Sequence, residues 1–233
     1  MKIKNCDIVV RGNCYELLKN IEPGSIDLIL TDPPYVLNSG KSATFKGVKI
    51  YGSKKFEEIC NGYDIDGFLN LCQRVCKKMN CFVFCSNAQV ADIINWCNDR
   101  GYYSTILIWF KLNAIPFCKS SWKPDIEFII HIREQGAYFQ GNSKLCSKVY
   151  SSCTNFSQYG HPTEKPIRLL SKLISVASKE GDLILDPFLG SGSTLIAAKK
   201  LNRRCFGFEI KEEYCSIAKK RIEEFDSQPD LFC

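Results

Sequence analysis

Several features are missing from this 233-residue chain, and each absence excludes something. No apolar run approaches the roughly 18 residues that a membrane-spanning helix needs. The opening residues Met1-Lys2-Ile3-Lys4-Asn5-Cys6-Asp7 carry no apolar signal-peptide core. A membrane protein is therefore not expected, and cytoplasmic placement is. There are 14 cysteines but no C-x-x-C pair. Several of the cysteines sit inside strand-like apolar runs such as Cys81-Phe82-Val83-Phe84-Cys85, where Cys behaves as a small hydrophobe. Cys72, Cys76, Cys81 and Cys85 have a spacing that fits no common zinc template, so no metal site is expected and the thiols should stay reduced inside a cell. Internal repeats and low-complexity tracts are also lacking.

The remaining composition is that of one ordinary globular domain spanning 1–233. Its size is enough to bury a full core, with 45% hydrophobic and 24% charged residues. The net charge of +6 is compatible with a polyanionic partner without establishing one. Apolar runs of strand length occur at 7–10, 26–30, 81–85, 105–110, 126–132, 183–185 and 205–208. Helical periodicity covers 65–78, 88–98, 166–178, 193–201 and 212–224. Strands alternating with helices predict an α/β fold, a mostly parallel sheet covered on both faces. Two long stretches, 36–62 and 136–160, fit neither period, and loops of that length in a compact domain are usually functional.

Three segments carry chemistry. The tetrapeptide Asp32-Pro33-Pro34-Tyr35, preceded by Thr31, comes directly after the run Ile26–Leu30. Two prolines make a rigid exit turn in any case, but chance alone would produce this tetrapeptide roughly once in a thousand such chains. It also stands where open α/β sheets bind ligands, beyond the carboxyl end of a strand. The second segment is Asp186-Pro187-Phe188-Leu189-Gly190-Ser191-Gly192-Ser193-Thr194, a strand end, a glycine turn and a helix start. No lysine follows the glycines, which excludes a Walker A loop, and Leu195 takes the place of the third glycine in a dinucleotide fingerprint. Glu209 ends the next strand 23 positions after Asp186, a placement suited to accepting hydrogen bonds from a ribose. The third is His161-Pro162-Thr163-Glu164-Lys165-Pro166, which on its own is equally well a helix start, with Thr163 as N-cap and Pro166 in the first turn.

Together these segments resemble the amino-methyltransferases of DNA, over nearly the whole chain. The first is similar to that family's catalytic motif and the second to its cofactor glycine motif. His161–Pro166 is similar to the segment that precedes the glycine motif. Their order, catalytic before cofactor, resembles that of the circularly permuted beta class, in which Gly12-Asn13-Cys14 matches a short adenine-contacting motif and Ile108–Asn113 a late strand motif. Asn13 departs from the family's usual Asp. The segment between Ile132 and His161, where the family carries its target-recognition region, is short.

The resemblance implies a doubly wound, seven-stranded Rossmann-like sheet with one antiparallel hairpin strand and S-adenosylmethionine as cofactor. It implies catalysis by Asp32, Pro33, Pro34 and Tyr35, with Tyr35 stacking on a base flipped out of double-stranded DNA. A cofactor shell would comprise Asn13, Cys14, His161, Thr163, Lys165, Asp186, Phe188, Gly190, Ser191, Gly192, Ser193, Thr194 and Glu209. Within it, Lys165 and residues 191–194 would hold the methionine carboxylate. Neither a metal nor a His–carboxylate pair is needed, in keeping with only two histidines. Adenine N6 is the expected acceptor. Cytosine N4 is the alternative within the family, where Ser more often replaces Asp32, and a non-catalytic nucleic-acid-binding protein is the alternative outside it. Lys41, Lys46, Lys49, Lys54 and Lys55, with no acid before Glu57, are expected to grip the DNA backbone or else form a solvated charge run. The brief 136–160 segment, with Tyr138, Phe139, Gln140, Asn142, Lys144, Lys148 and Tyr150, is either a short base reader or a surface loop. A homodimer and a restriction-enzyme partner stay open.

Overall fold

The computed structural model describes residues 8–35, 63–114, 122–142, 145–154 and 164–227. Eight strands form one sheet: β1 (Ile8–Arg11), β2 (Leu28–Thr31), β3 (Asn80–Cys85), β4 (Tyr103–Lys111), β5 (Ile126–Arg133), β6 (Val149–Ser152), β7 (Leu183–Asp186) and β8 (Arg204–Glu209). Their spatial order is β1-β8-β7-β2-β3-β5-β4-β6. β5 runs antiparallel to both its neighbours, and every other pairing is parallel. Among the described residues six helices cover the sheet: α1 (Cys14–Lys19), α2 (Ile65–Val75), α3 (Asn87–Asn98), α4 (Ile167–Ala177), α5 (Ser193–Lys200) and α6 (Glu212–Ser227).

The most apolar runs occupy the middle of the sheet, where both faces are covered. Every residue of β2, β3 and β7 is buried. Side chains alternate between two cores with the period of two that a strand imposes. Ile29, Cys81 and Val83 meet Leu18, Phe68, Cys72, Ile93 and Trp96 of α1, α2 and α3 on one face. Leu28, Leu30, Phe82 and Phe84 meet Leu169, Leu173, Ile174, Leu195 and Ala218 of α4, α5 and α6 on the other. Each fully buried Leu, Ile or Phe contributes roughly 1.5–3 kcal/mol of transfer free energy, so the cores fix the register of the central strands.

Three elements depart from the sequence expectation, the first being α1, a six-residue helix that the helical periodicity does not mark. The sheet has eight strands rather than seven; the eighth, β6, lies inside 136–160. Its sequence Val-Tyr-Ser-Ser is too short and polar to announce a strand, but it pairs along the otherwise free edge of β4. Helix α2 stops at Val75 instead of 78, because Ile26 bridges to Cys76 and the Lys77 N–H donates to the Ile26 carbonyl. Tertiary pairing here overrides a continuing helical pattern.

The chain proceeds outward from β2 through β3 to β6, then returns to β7 on the opposite side of β2 and proceeds outward again. The reversal opens a crevice between the carboxyl ends of β2 and β7, where α/β folds of this kind bind ligands. No helix among the described residues is long and apolar enough to cross a membrane.

Candidate active site

The crevice is built by the turns that leave the two central strands. After β2, Pro33 and Pro34 end the ladder, and the Pro34 carbonyl accepts a bond from Gln89 Nε2 at 3.3 Å. Gln89 is buried because its side chain also closes the capping box of α3 with Ser86, so the helix start and the proline turn are tied together. After β7 the chain turns through Gly190 (φ 54°) and Gly192 (φ 83°) into α5. Gly192 is both left-handed and crowded, since a Cβ there would lie 3.0 Å from that of Ala218.

One cavity of about 210 Å³ is lined by Asp32, Pro33, Pro34 and Tyr35 together with Lys165, Asp186, Phe188, Gly190, Ser191, Ser193, Thr194 and Glu209. A second, of about 290 Å³, is lined by Gly12, Asn13, Cys14, Tyr63 and Asp64 and shares Pro34, Phe188, Glu209 and Ile210 with the first. Phe188 is held by Phe68, with ring centroids 5.3 Å apart, and by the edge contact of Tyr63 at 6.1 Å. Asn13 caps α1 through its Oδ1, which accepts from the Tyr15 N–H at 2.9 Å.

The acids on the β7–β8 side are held by neutral donors. Asp186 Oδ1 accepts from Thr31 Oγ1 at 3.0 Å and from the Phe188 N–H at 3.1 Å. Burial drives its carboxyl up to about 7 in spite of these bonds and one from Thr194. Glu209 accepts from the Gly190 N–H at 2.9 Å and the Lys211 N–H at 2.8 Å, and burial again raises its carboxyl above the ordinary range.

On the β2 side the acids are held by lysines. Lys165 Nζ lies 2.5 Å from Asp32 Oδ2 and 2.9 Å from Glu127 Oε1, and Lys111 Nζ lies 2.6 Å from Glu127 Oε2. The Tyr35 hydroxyl is 2.6 Å from Asp32 Oδ1 and 2.5 Å from Glu127 Oε1. Burial raises Asp32, and Lys165 opposes that rise. Burial would raise Glu127 too, but Lys165 and Lys111 outweigh it and hold the carboxyl at about 2. Lys165 is itself buried at 8% exposure, and its two carboxylates hold it in the charged form against that burial.

Three comparisons bear on the chain. The DNA methylase family matches residues 26–220. The chain belongs to this N6/N4 DNA methylase family.

Among the methylase's relatives is the Type II methyltransferase M.HpaI of Haemophilus parainfluenzae, 29% identical over 94% of this chain and 76% of its own length. Among solved structures, the M1.HpyAVI–SAM complex superposes with a TM-score of 0.65 at 26% identity, covering 92% of this chain and 98% of that one. PvuII DNA methyltransferase (cytosine-N4-specific) gives a TM-score of 0.71 over 94% and 91% of the two chains; at 17% identity that likeness concerns the fold. The methylase's cofactor is S-adenosylmethionine. The paired cavities suit it: an aromatic ring and a strand-end carboxylate are common to both, and the two acids with raised carboxyls would favour a ligand that is cationic at its sulfonium and ammonium groups.

The methylase thus gathers Asp32, Pro33, Pro34, Tyr35, Asp186, Phe188, Gly190, Ser191, Ser193, Thr194 and Glu209 at one crevice, with Gly192 in its turn and Asn13 and Cys14 in the adjoining cavity. Lys165 reaches the same crevice but makes its ion pairs with Asp32 and Glu127. His161, Thr163 and the lysines at 41, 46, 49, 54 and 55 lie outside the described residues, and Pro166 rather than Thr163 is the N-cap of α4.

Sequence reading missed three residues here. Glu127 sits in a strand read only as an apolar run, where an acid inside 126–132 was the available signal; Lys111 ends β4 within the 108–113 segment, which is matched to a strand motif without giving the lysine a role. Arg221 is the third. Its guanidinium is buried at 1% exposure, donates to Ser191 O and Oγ and to Ser193 Oγ, and pairs with Glu164 at 2.6 Å. Its position on the buried face of α6 with Tyr214, Ala218 and Phe225 was its only mark.

Proposed function

We propose that this methylase transfers a methyl group to the N6 amino nitrogen of adenine in double-stranded DNA. The observation that carries the reading is the convergence of Asp32 with Asp186, Gly190, Thr194 and Glu209 on one cavity. S-adenosylmethionine supplies an electrophilic methyl group on a sulfonium. The acceptor is the harder partner, because an exocyclic amino nitrogen donates its lone pair into the ring. The Asp32 carboxylate and the Pro33 carbonyl each accept one N–H, which lets the nitrogen pyramidalise and localise that pair. Both bonds strengthen as positive charge develops on nitrogen, so they stabilise the transition state more than the ground state. Two prolines and the Gln89 bond hold the acceptors in place beforehand, which limits reorganisation.

For the cofactor, Glu209 serves the ribose, Phe188 the adenosine face, Asn13 and Cys14 the adenine, and Asp186 the ammonium. Ser191, Gly192, Ser193 and Thr194 with the start of α5 serve the carboxylate. The placement of the Asp32 segment before the Asp186 segment supports a circularly permuted arrangement. Cytoplasmic placement, a DNA clamp in 36–62 and base reading from 136–160 complete the proposal; a second copy or a restriction enzyme would be further partners. The test is methyl transfer from tritiated S-adenosylmethionine to duplex DNA, followed by nucleoside analysis. N6-methyladenine is the expected product. N4-methylcytosine would overturn the choice of base, and no labelled nucleoside on varied DNA would overturn the activity.

A further inference from the structure

The lysine and the strand-buried acid beside Asp32 take no part in that transfer chemistry. To accept an amino N–H, Asp32 must turn a lone pair toward the crevice, yet each of its oxygens already faces a donor of the protein. Oδ2 faces Lys165 Nζ and Oδ1 faces the Tyr35 hydroxyl. A phenol carries one proton, and the Tyr35 oxygen is within hydrogen-bond distance of two carboxylates, so it donates to Asp32 or to Glu127 but not to both. Lys165 spans the same two carboxylates, and Lys111 backs Glu127 from β4. The cluster of two acids and two lysines is electrically balanced, the condition for keeping charges in a buried place.

We infer that Lys165 and Glu127 are positioning residues for the target base: Lys165 keeps Asp32 ionised and oriented into the crevice, and Glu127 receives the Tyr35 hydroxyl when the incoming amino group claims Asp32 Oδ1. The inference rests on the reading of Asp32 as the acceptor for that group. It moves Lys165 from the cofactor to the base and gives β5, the antiparallel strand, a place in the site. It also assigns Tyr35 a hydrogen-bond exchange in addition to stacking. The ionisable groups facing Asp32 are Lys165 ahead of α4, Tyr35, Glu127 on β5, Cys85 at the end of β3 and Asp186 at the end of β7. Cys85 remains a neutral thiol, raised by burial to about 12, and Asp186, when ionised, works against a charged Asp32. Lys165 is the cation that touches Asp32 and offsets both its burial and its acidic neighbours.

The test measures single-turnover methyl transfer across roughly pH 5.5–9.5 for the full chain, together with cofactor affinity by calorimetry. Ionised Asp32 is the active form, so activity is lost as pH falls through its carboxyl. Lys165→Gln removes the cation and should move that acid limb upward by about one pH unit or more, with about a tenfold loss near neutrality that recovers in alkali. Cofactor affinity should stay within about threefold. Glu127→Gln keeps the shape and removes a negative charge, so its limb should move the opposite way, downward. Limbs that do not move, or that move together, overturn the inference. An unmoved limb with cofactor affinity lost about tenfold in Lys165→Gln returns the lysine to the cofactor. If Lys165→Gln lacks the wild-type circular dichroism, the direction of the Glu127→Gln limb decides alone. Asp32→Ala, run alongside, separates the two ideas: full activity there would defeat the acceptor role of Asp32 itself.

Discussion

The two sides of the crevice handle their buried and half-buried acids in opposite ways. At the end of β2, Asp32 and Glu127 are matched by Lys165 and Lys111. At the ends of β7 and β8, Asp186 and Glu209 are held by hydroxyls and backbone amides, and burial raises both carboxyls. A buried ion pair that is fully hydrogen-bonded is rigid, whereas a buried acid held by neutral donors is primed for an external cation. The difference matches the two ligands. The base is neutral and needs acceptors already fixed; the cofactor is cationic and brings the missing charge with it.

Breaking the base side should cost most. Asp32→Ala should lower the rate of methyl transfer by on the order of 10²–10³-fold or more, with cofactor affinity within about threefold, since the glycine turn and Glu209 are untouched. Activity close to wild type in a quenched-flow assay would remove Asp32 from the chemistry.

Next comes the support beneath the cofactor turn. Arg221→Met leaves the half-buried Glu164 without its ion-pair partner and removes the guanidinium donor from Ser191 and Ser193. It should cost about 3–5 kcal/mol in chemical unfolding, and cofactor affinity should fall with it. A variant as stable as wild type would show that α6 does not brace the turn.

The cofactor side itself can be tested through its charge. Glu209→Gln should weaken cofactor binding by about tenfold, in line with roughly 1.5–3 kcal/mol for a charged hydrogen bond. The pH dependence sharpens the comparison. Burial raises the Asp186 carboxyl to about 7 in spite of its hydrogen bonds, and a cationic ligand favours its ionised form. Affinity is therefore full above about pH 7 and should fall by at most about tenfold per pH unit below it. Methylthioadenosine, which lacks the ammonium group that Asp186 serves, should fall less. Equal slopes for the two ligands in calorimetry would mean that the ammonium charge is not what ionises the acid.

The smallest expected effect concerns the DNA backbone. Neutralising Lys41, Lys46 and Lys49 should weaken binding across sequences. Its salt dependence should flatten by up to about one log–log unit for each lysine–phosphate pairing removed. An unchanged slope would make them a solvated charge run.

The sequence by itself determined the alternation of strand and helix, the buried identity of β2, β3 and β7, and the presence of Asp32, Asp186, the glycine turn and Glu209 at strand ends. These are local properties: periodicity, prolines and glycines act within a few residues, and a parallel strand covered on both faces must be apolar throughout. The tertiary structure alone decided the rest. β6 became a strand because β4 offered it an edge, and Cys76–Lys77 left their helix to pair with Ile26. Lys165, read as a cofactor residue, joined Asp32 because Glu127, 38 positions away on the antiparallel β5, shares it. Charge matching between buried groups depends on distances through space, and distances of 2.5–2.9 Å between residues 32, 127 and 165 leave no periodic trace along the chain.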